Sequence, residues 1–79
     1  MGKSSVAITS DILEACLADS SRADIIDKTK ADPKMLAAYL DSLVKNRLIA
    51  AKEGDVVTYR TTENGKDLLA MLKATHKRL

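Results

Sequence analysis

The chain has no phenylalanine and no tryptophan, and only two tyrosines in 79 residues. Any core it builds must be aliphatic. One cysteine, Cys16, excludes an intrachain disulfide. One histidine, His76, with no cysteine or carboxylate cluster beside it, makes no metal site. There is no long apolar run, so neither a signal peptide nor a membrane-spanning segment is visible, and a cytoplasmic protein is expected. An excess of one charge is also missing. Thirteen Lys and Arg against eleven Asp and Glu leave a net charge of +2, which does not by itself argue for nucleic acid. No internal repeat or linker divides the sequence. Two N-terminal lookalikes fail: Gly2-Lys3-Ser4 lacks the upstream glycine and strand of a phosphate-binding loop, and Gly2 is followed by Val6 where a myristoylation motif needs Ser or Thr.

What is present suits one small soluble domain. Hydrophobic residues make up 46% and charged residues 30%, too apolar for a disordered chain. Residues 1–5 are polar and expected to be flexible, with a single domain over 6–79. A first helix is expected over Val6 to Ala18. Ile8, Ile12, Ala15 and Cys16 share one face and Val6, Leu13 and Leu17 a neighbouring one. That apolar arc is wider than one packing partner needs, so it is covered either by two elements of the same domain or in part by a second subunit.

The centre of the chain is the helix over Asp32 to about Asn46. Asp32 suits the N-cap, and Pro33 the first helical position, where no N–H is needed. Leu36, Leu40 and Leu43 line one face, flanked by Tyr39 and Val44. Lys34, Ala38, Asp41, Ser42 and Lys45 line the other. Before it comes a short helix, Arg22 to Thr29, opened by Ser21 with Asp24 three residues on in a capping-box pattern. Only Lys30-Ala31 separates the two, so they must cross as a helix-turn-helix. Leu48 to Lys52 and Val56 to Thr61 are expected strands. Glu53-Gly54-Asp55 forms the turn between them, with Gly54 supplying a positive φ, and Asn46 stops the preceding helix. Thr62 is placed to cap a last helix over 63–79, with Leu68, Leu69, Leu72, His76 and Leu79 on one stripe. That stripe outruns what a small body covers, which favours packing against another subunit.

Tyr39-Leu40-x-x-Leu43, then Leu48-Ile49, then Tyr59-x-x-Thr62-x-x-Gly65 and Leu68-Leu69 resemble the archaeal winged-helix DNA-binding proteins, across roughly residues 11–72. The resemblance implies a mainly α fold with a small β-hairpin: three helices, a two-stranded wing and a C-terminal helix. It also implies double-stranded DNA binding in transcription or chromosome organisation, and a homodimer. The recognition helix is then about 32–46 and the wing about 48–61. The family often has Gly before the Leu-Ile pair, where this chain has Arg47. The last helix is short beside the long coiled-coil members, so a compact interface from the first and last helices is expected.

Affinity for DNA comes mostly from phosphate neutralisation and sequence choice from base edges. The candidates are Arg22, Lys34, Tyr39, Ser42 and Lys45 on the two helices, and Lys52 and Arg60 on the wing. Asp41 and Asp55 count against them, and no Asn, Gln or Arg occupies the middle of the exposed helix face, so weak specificity is expected. Val6, Leu13, Leu17, Leu68, Leu72, His76 and Leu79 are the candidate dimer interface. Cys16 is expected buried and inert, and the carboxylates of Asp24 and Asp27 a solvated face. No nucleophile with a base, no carboxylate pair and no glycine-rich cradle emerges, so neither an enzyme nor a cofactor is expected. The competing function is a winged-helix protein–protein interaction module without DNA binding, since one scaffold hosts both.

Overall fold

The structure, a computed structural model, describes residues 5–77, with side chains as far as residue 74. Its elements are α1 (Ser5–Ala15), β1 (Ser20–Ser21), α2 (Arg22–Thr29), α3 (Pro33–Lys45), β2 (Ile49–Lys52), β3 (Thr58–Thr61) and α4 (Glu63–Lys77). The sheet is antiparallel in the order β1-β3-β2. The molecule is thus mainly helical, a helix-turn-helix followed by a hairpin wing and a closing helix.

The local chemistry of the two crossing helices explains their ends. Ser21 Oγ accepts from Asp24 N–H at 3.2 Å, and Asp24 Oδ2 accepts from Ser21 N–H at 3.1 Å, a reciprocal capping box. Those bonds from Ser21 hold the Asp24 carboxyl below its ordinary 3.8. α2 ends at Lys30, whose φ of 60° is left-handed and whose N–H returns to Ile26 O at 2.7 Å. Asp32 Oδ2 accepts from the N–H groups of Lys34 and Met35, both at 3.1 Å. α3 then buries Leu36, Leu40 and Leu43.

The stop after α3 differs from expectation. Asn46 is the cap at φ −88°, and it is Arg47 that turns left-handed, at φ 61°. Arg47 thus stands in the conformation for which the family pattern often supplies Gly. Gly54, conversely, has no positive φ, since no glycine of the described residues does. The hairpin is joined by five residues, 53–57, and that length removes the need for a strained two-residue turn. The strands are correspondingly shorter than expected, beginning at Ile49 and Thr58.

The third strand, β1, was not legible from propensity. Ser20 pairs with Tyr59 and Ser21 with Thr58. Two serines carry no strand pattern; position alone draws them to the β3 edge. The turn before them also shortens α1, which ends at Ala15 and not Ala18. Ser20 Oγ, buried, donates to Ala15 O at 2.9 Å, and Thr61 N–H donates to Cys16 O at 2.8 Å. These bonds satisfy carbonyls that a longer helix would otherwise pair internally. Ser5 belongs to α1, while the rest of the expected flexible 1–5 segment lies outside the described residues.

The core is aliphatic, as the composition requires: Ile12, Leu13, Ala15, Cys16, Ile25, Leu36, Leu40, Leu43, Ile49 and Leu69, with Tyr59 the one buried aromatic. Thr62 ties its last corner. Its N–H donates to Leu48 O at 3.0 Å, its hydroxyl donates to Arg47 O at 2.7 Å, and it accepts from Gly65 N–H at 3.1 Å as the α4 cap. α4 therefore starts against the exit of α3. A Cβ on Gly65 would stand 2.0 Å from Leu48 O, so the Thr-x-x-Gly spacing is a packing requirement. α4 lies against α1, and Lys73 Nζ meets Glu14 Oε2 at 2.9 Å across that contact.

Candidate nucleic-acid interface

The burial pattern of α3 defines its outer face. With Leu36, Leu40 and Leu43 inward, the exposed residues are Lys34, Met35, Ala38, Asp41, Ser42 and Lys45. Lys34 sits in the first turn, beside the Asp32 cap, and has no ionic partner among the described residues. Lys45 sits in the last turn and reaches Asp41 Oδ2 at 4.0 Å. Both members of that pair are exposed, so solvent screens it and its worth is small. Ser42 is exposed on the side-chain side while its carbonyl accepts from Asn46 Nδ2 at 2.9 Å. Tyr39 is half-buried and packed against the core, which leaves it less free than the other three candidates on α3.

The wing presents two cations on one side. In the register Ala50↔Arg60 and Lys52↔Thr58, these four residues share the face opposite Ile49, Tyr59 and Thr61, which turn toward the core. Lys52 and Arg60 are therefore diagonal neighbours on the outer face. Lys52 forms no ion pair among the described residues. Arg60 Nη1 lies 3.7 Å from Asp19 Oδ1, on the loop that leads into β1. Arg22 opens α2 and donates from Nε to Tyr59 Oη at 3.3 Å, which pins its side chain against the sheet. The wing tip, 53–57, is not basic. It carries Glu53 and Asp55, with Val56 63% exposed and Val57 exposed beside it.

Three relevant residues were not singled out from sequence. Arg47, exposed and left-handed, adds a cation at the α3 exit. Met35, 42% exposed in the first turn of α3, lies on the outer face and not among the leucines; its 100° offset from Leu36 contained that information. Asp19 as the partner of Arg60 follows from β1 pairing, which the sequence did not reveal.

Of the candidate dimer residues, Leu13 is corrected. It is 0% exposed, enclosed by its own chain, and has no area to offer a second one. Val6, 57% exposed, and Leu17 remain on the surface, and Leu68 and Leu72 are half-buried on α4. Met71, one turn from Leu68 and 63% exposed, joins them unforeseen. The side chain of His76 and the whole of Leu79 lie outside the described residues. Cys16 is fully buried. Burial pushes its thiol up to about 11 from 9.0, against the smaller downward pull of the Lys28 charge. A shallow, polar depression of about 290 Å³ between α1 and α2, lined by Asp11, Glu14, Ala15, Lys28 and Thr29, involves neither α3 nor the wing. No helix among the described residues is long and apolar enough to cross a membrane.

Comparison with known proteins now adds a family. The model of the winged helix-turn-helix family matches residues 3–79. Among solved structures, the chain is similar to Sso10a-2, a DNA-binding protein from Sulfolobus solfataricus, at 29% identity and a TM-score of 0.88, covering 95% of this chain and 80% of that one. It shares its fold with Bordetella bronchiseptica BpsR, at 19% identity and TM-score 0.84, covering 91% of this chain and 55% of BpsR. It also shares it with Lactococcus lactis ZitR solved in complex with DNA, at 20% identity and TM-score 0.74, covering 98% and 56%. The chain thus spans a little over half the length of those last two proteins. A search of curated protein sequences finds no match.

Proposed function

Because the chain belongs to the winged helix-turn-helix family, we propose that it binds double-stranded DNA, as a small transcriptional regulator or chromosome-associated protein. α3 serves as the recognition helix and the β2–β3 hairpin as the wing. The observation that carries this function is the outer face of α3. Lys34 and Lys45 stand at its two ends, eleven residues and so about 16 Å apart along the axis. A groove about 12 Å wide fits between contacts at that separation, so each lysine meets phosphates on one side while the small residues between them face the bases. Lys52 and Arg60 add phosphate contacts from the wing's outer face, and Arg22 from the start of α2. The DNA-binding protein from Sulfolobus, of similar fold along most of both chains, supports the same function.

The protein acts as a homodimer in which Val6 of α1, Leu17 of the turn after it, and Leu68, Met71 and Leu72 of α4, exposed or half-buried, meet a second copy. Two half-sites then raise an affinity that a net charge of +2 leaves modest. A protein–protein interaction module is the second function the structure favours, on one observation: the wing tip pairs exposed Val56 and Val57 with Glu53 and Asp55, a surface that repels phosphate.

Fluorescence anisotropy of a labelled duplex of about 30 base pairs, long enough for two half-sites one helical turn apart, decides between them. Binding that weakens steeply between roughly 50 and 200 mM salt is the expected result. No binding at the lower salt would assign the chain to protein partners instead.

A further inference from the structure

Between Lys34 and Lys45, the outer face of α3 holds Met35, Ala38, Asp41 and Ser42. The helix contains no Asn, Gln or Arg, the side chains that make bidentate bonds to adenine or guanine in the major groove. Asp41 brings negative charge toward the phosphates, and its exposed pair with Lys45 at 4.0 Å is weak. Ser42 accepts or donates to any base. What remains is an apolar contact. Met35 projects a flexible thioether chain that the core cluster does not include, in the helical turn that enters a groove first. Ala38 and Ser42 continue its ridge three and seven residues on, with no bulk to hold the helix away from the base edges.

We infer that Met35 is a specificity-determining residue that reads thymine through its C5 methyl group, so that the chain prefers A·T-rich duplexes. The inference rests on the DNA-binding function proposed above. The thymine methyl is the one apolar group on the floor of the major groove, and its contact with an apolar side chain needs no hydrogen-bond geometry. Burying one methyl is worth about a fourfold change in affinity. Such readout gives a graded preference for composition and no sharp operator.

The test uses one labelled A·T-rich duplex of about 30 base pairs and the same duplex with deoxyuridine at every thymidine. The exchange removes only methyl groups and leaves phosphates and base pairing in place. Wild type should bind the deoxyuridine duplex at least about fourfold more weakly, with the same salt slope. Met35→Ser, an exposed substitution, should bind both duplexes equally, and Met35→Leu should keep the preference. Circular dichroism confirms that each variant is folded. Equal binding of both duplexes by wild type, or full discrimination by Met35→Ser, overturns the inference while leaving DNA binding intact. Absence of binding to either duplex overturns the DNA-binding function and this inference with it.

Discussion

Gly65→Ala should be among the most damaging single-methyl changes available to this chain. The added Cβ would lie 2.0 Å from Leu48 O, 2.6 Å from Thr61 Cγ2 and 3.0 Å from Leu48 C. The first and third are backbone atoms, so no rotamer change relieves the overlap. α4 must move away from the α3 exit by about 1 Å or more, a strain of about 1–3 kcal/mol by the usual cost of overpacking. The movement stretches the bonds from Thr62 N–H to Leu48 O and from Thr62 Oγ1 to Arg47 O, now 3.0 and 2.7 Å, each worth about 1 kcal/mol. Against this, alanine gains about 1 kcal/mol over glycine inside a helix. The net is a loss of about 3 kcal/mol, a large fraction of a small domain's stability. For a chain of this length that lowers Tm by about 12–24 °C. Gly54→Ala is the control: its Cβ would meet only Val56 O, at 3.8 Å, in a φ that alanine accepts. It should be neutral or stabilising by up to about 1 kcal/mol. Urea unfolding followed by circular dichroism measures both. A Gly65→Ala protein within about 0.5 kcal/mol of wild type would refute the role given to the Thr-x-x-Gly contact, since surface changes alone stay in that range.

Other predictions follow from the same structure. Thr61→Val removes the hydroxyl that donates to Leu13 O at 2.7 Å in the core and should cost about 1–2 kcal/mol in urea unfolding, because the carbonyl left behind is buried without that partner. The Cys16 thiol stays neutral in the fold to about pH 11 but ionises from 9.0 when exposed; its contribution is therefore complete below pH 9.0 and lost as pH rises through about 11. A Cys16→Ala variant should show a flatter fall in Tm across that window, and native wild type at neutral pH should resist thiol alkylation until denatured. Lys34→Ala and Lys52→Ala should each weaken DNA binding similarly on all sequences and reduce the salt slope by about one phosphate contact. Met71→Lys should convert the proposed dimer to a monomer by sedimentation equilibrium without lowering helicity; an unchanged mass would remove α4 from the interface.

The helices were legible because their causes are local. Asp32-Pro33 marks a helix start whatever surrounds it, and leucines at three- and four-residue spacing define an inner face before any partner is known. The outer face of α3, and with it Lys34 and Lys45, followed from the same periodicity. The Tyr-x-x-Thr-x-x-Gly piece pointed to a hairpin closing into a helix. Other features depended on contacts across the chain. Ser20 and Ser21 become a strand only because the β3 edge lies beside them. Leu13 and Leu17 stand four residues apart and share a face of the expected first helix, yet α1 stops at Ala15, so Leu13 is buried in the fold while Leu17 falls in the turn and stays exposed. Arg47 turns left-handed in a local helix stop, with Leu48 N–H returning to Leu43 O at 2.9 Å, but the Thr62 hydroxyl that binds its carbonyl comes from fifteen residues away. Arg60 was readable as a wing cation, but its pairing with Asp19 was not, since that acid reaches it through strand pairing. The sequence by itself determined the helices, their inner faces and a resemblance to the family. Tertiary structure alone decided which surface residues are left free to meet a partner, because freedom at a surface is set by what the rest of the fold covers.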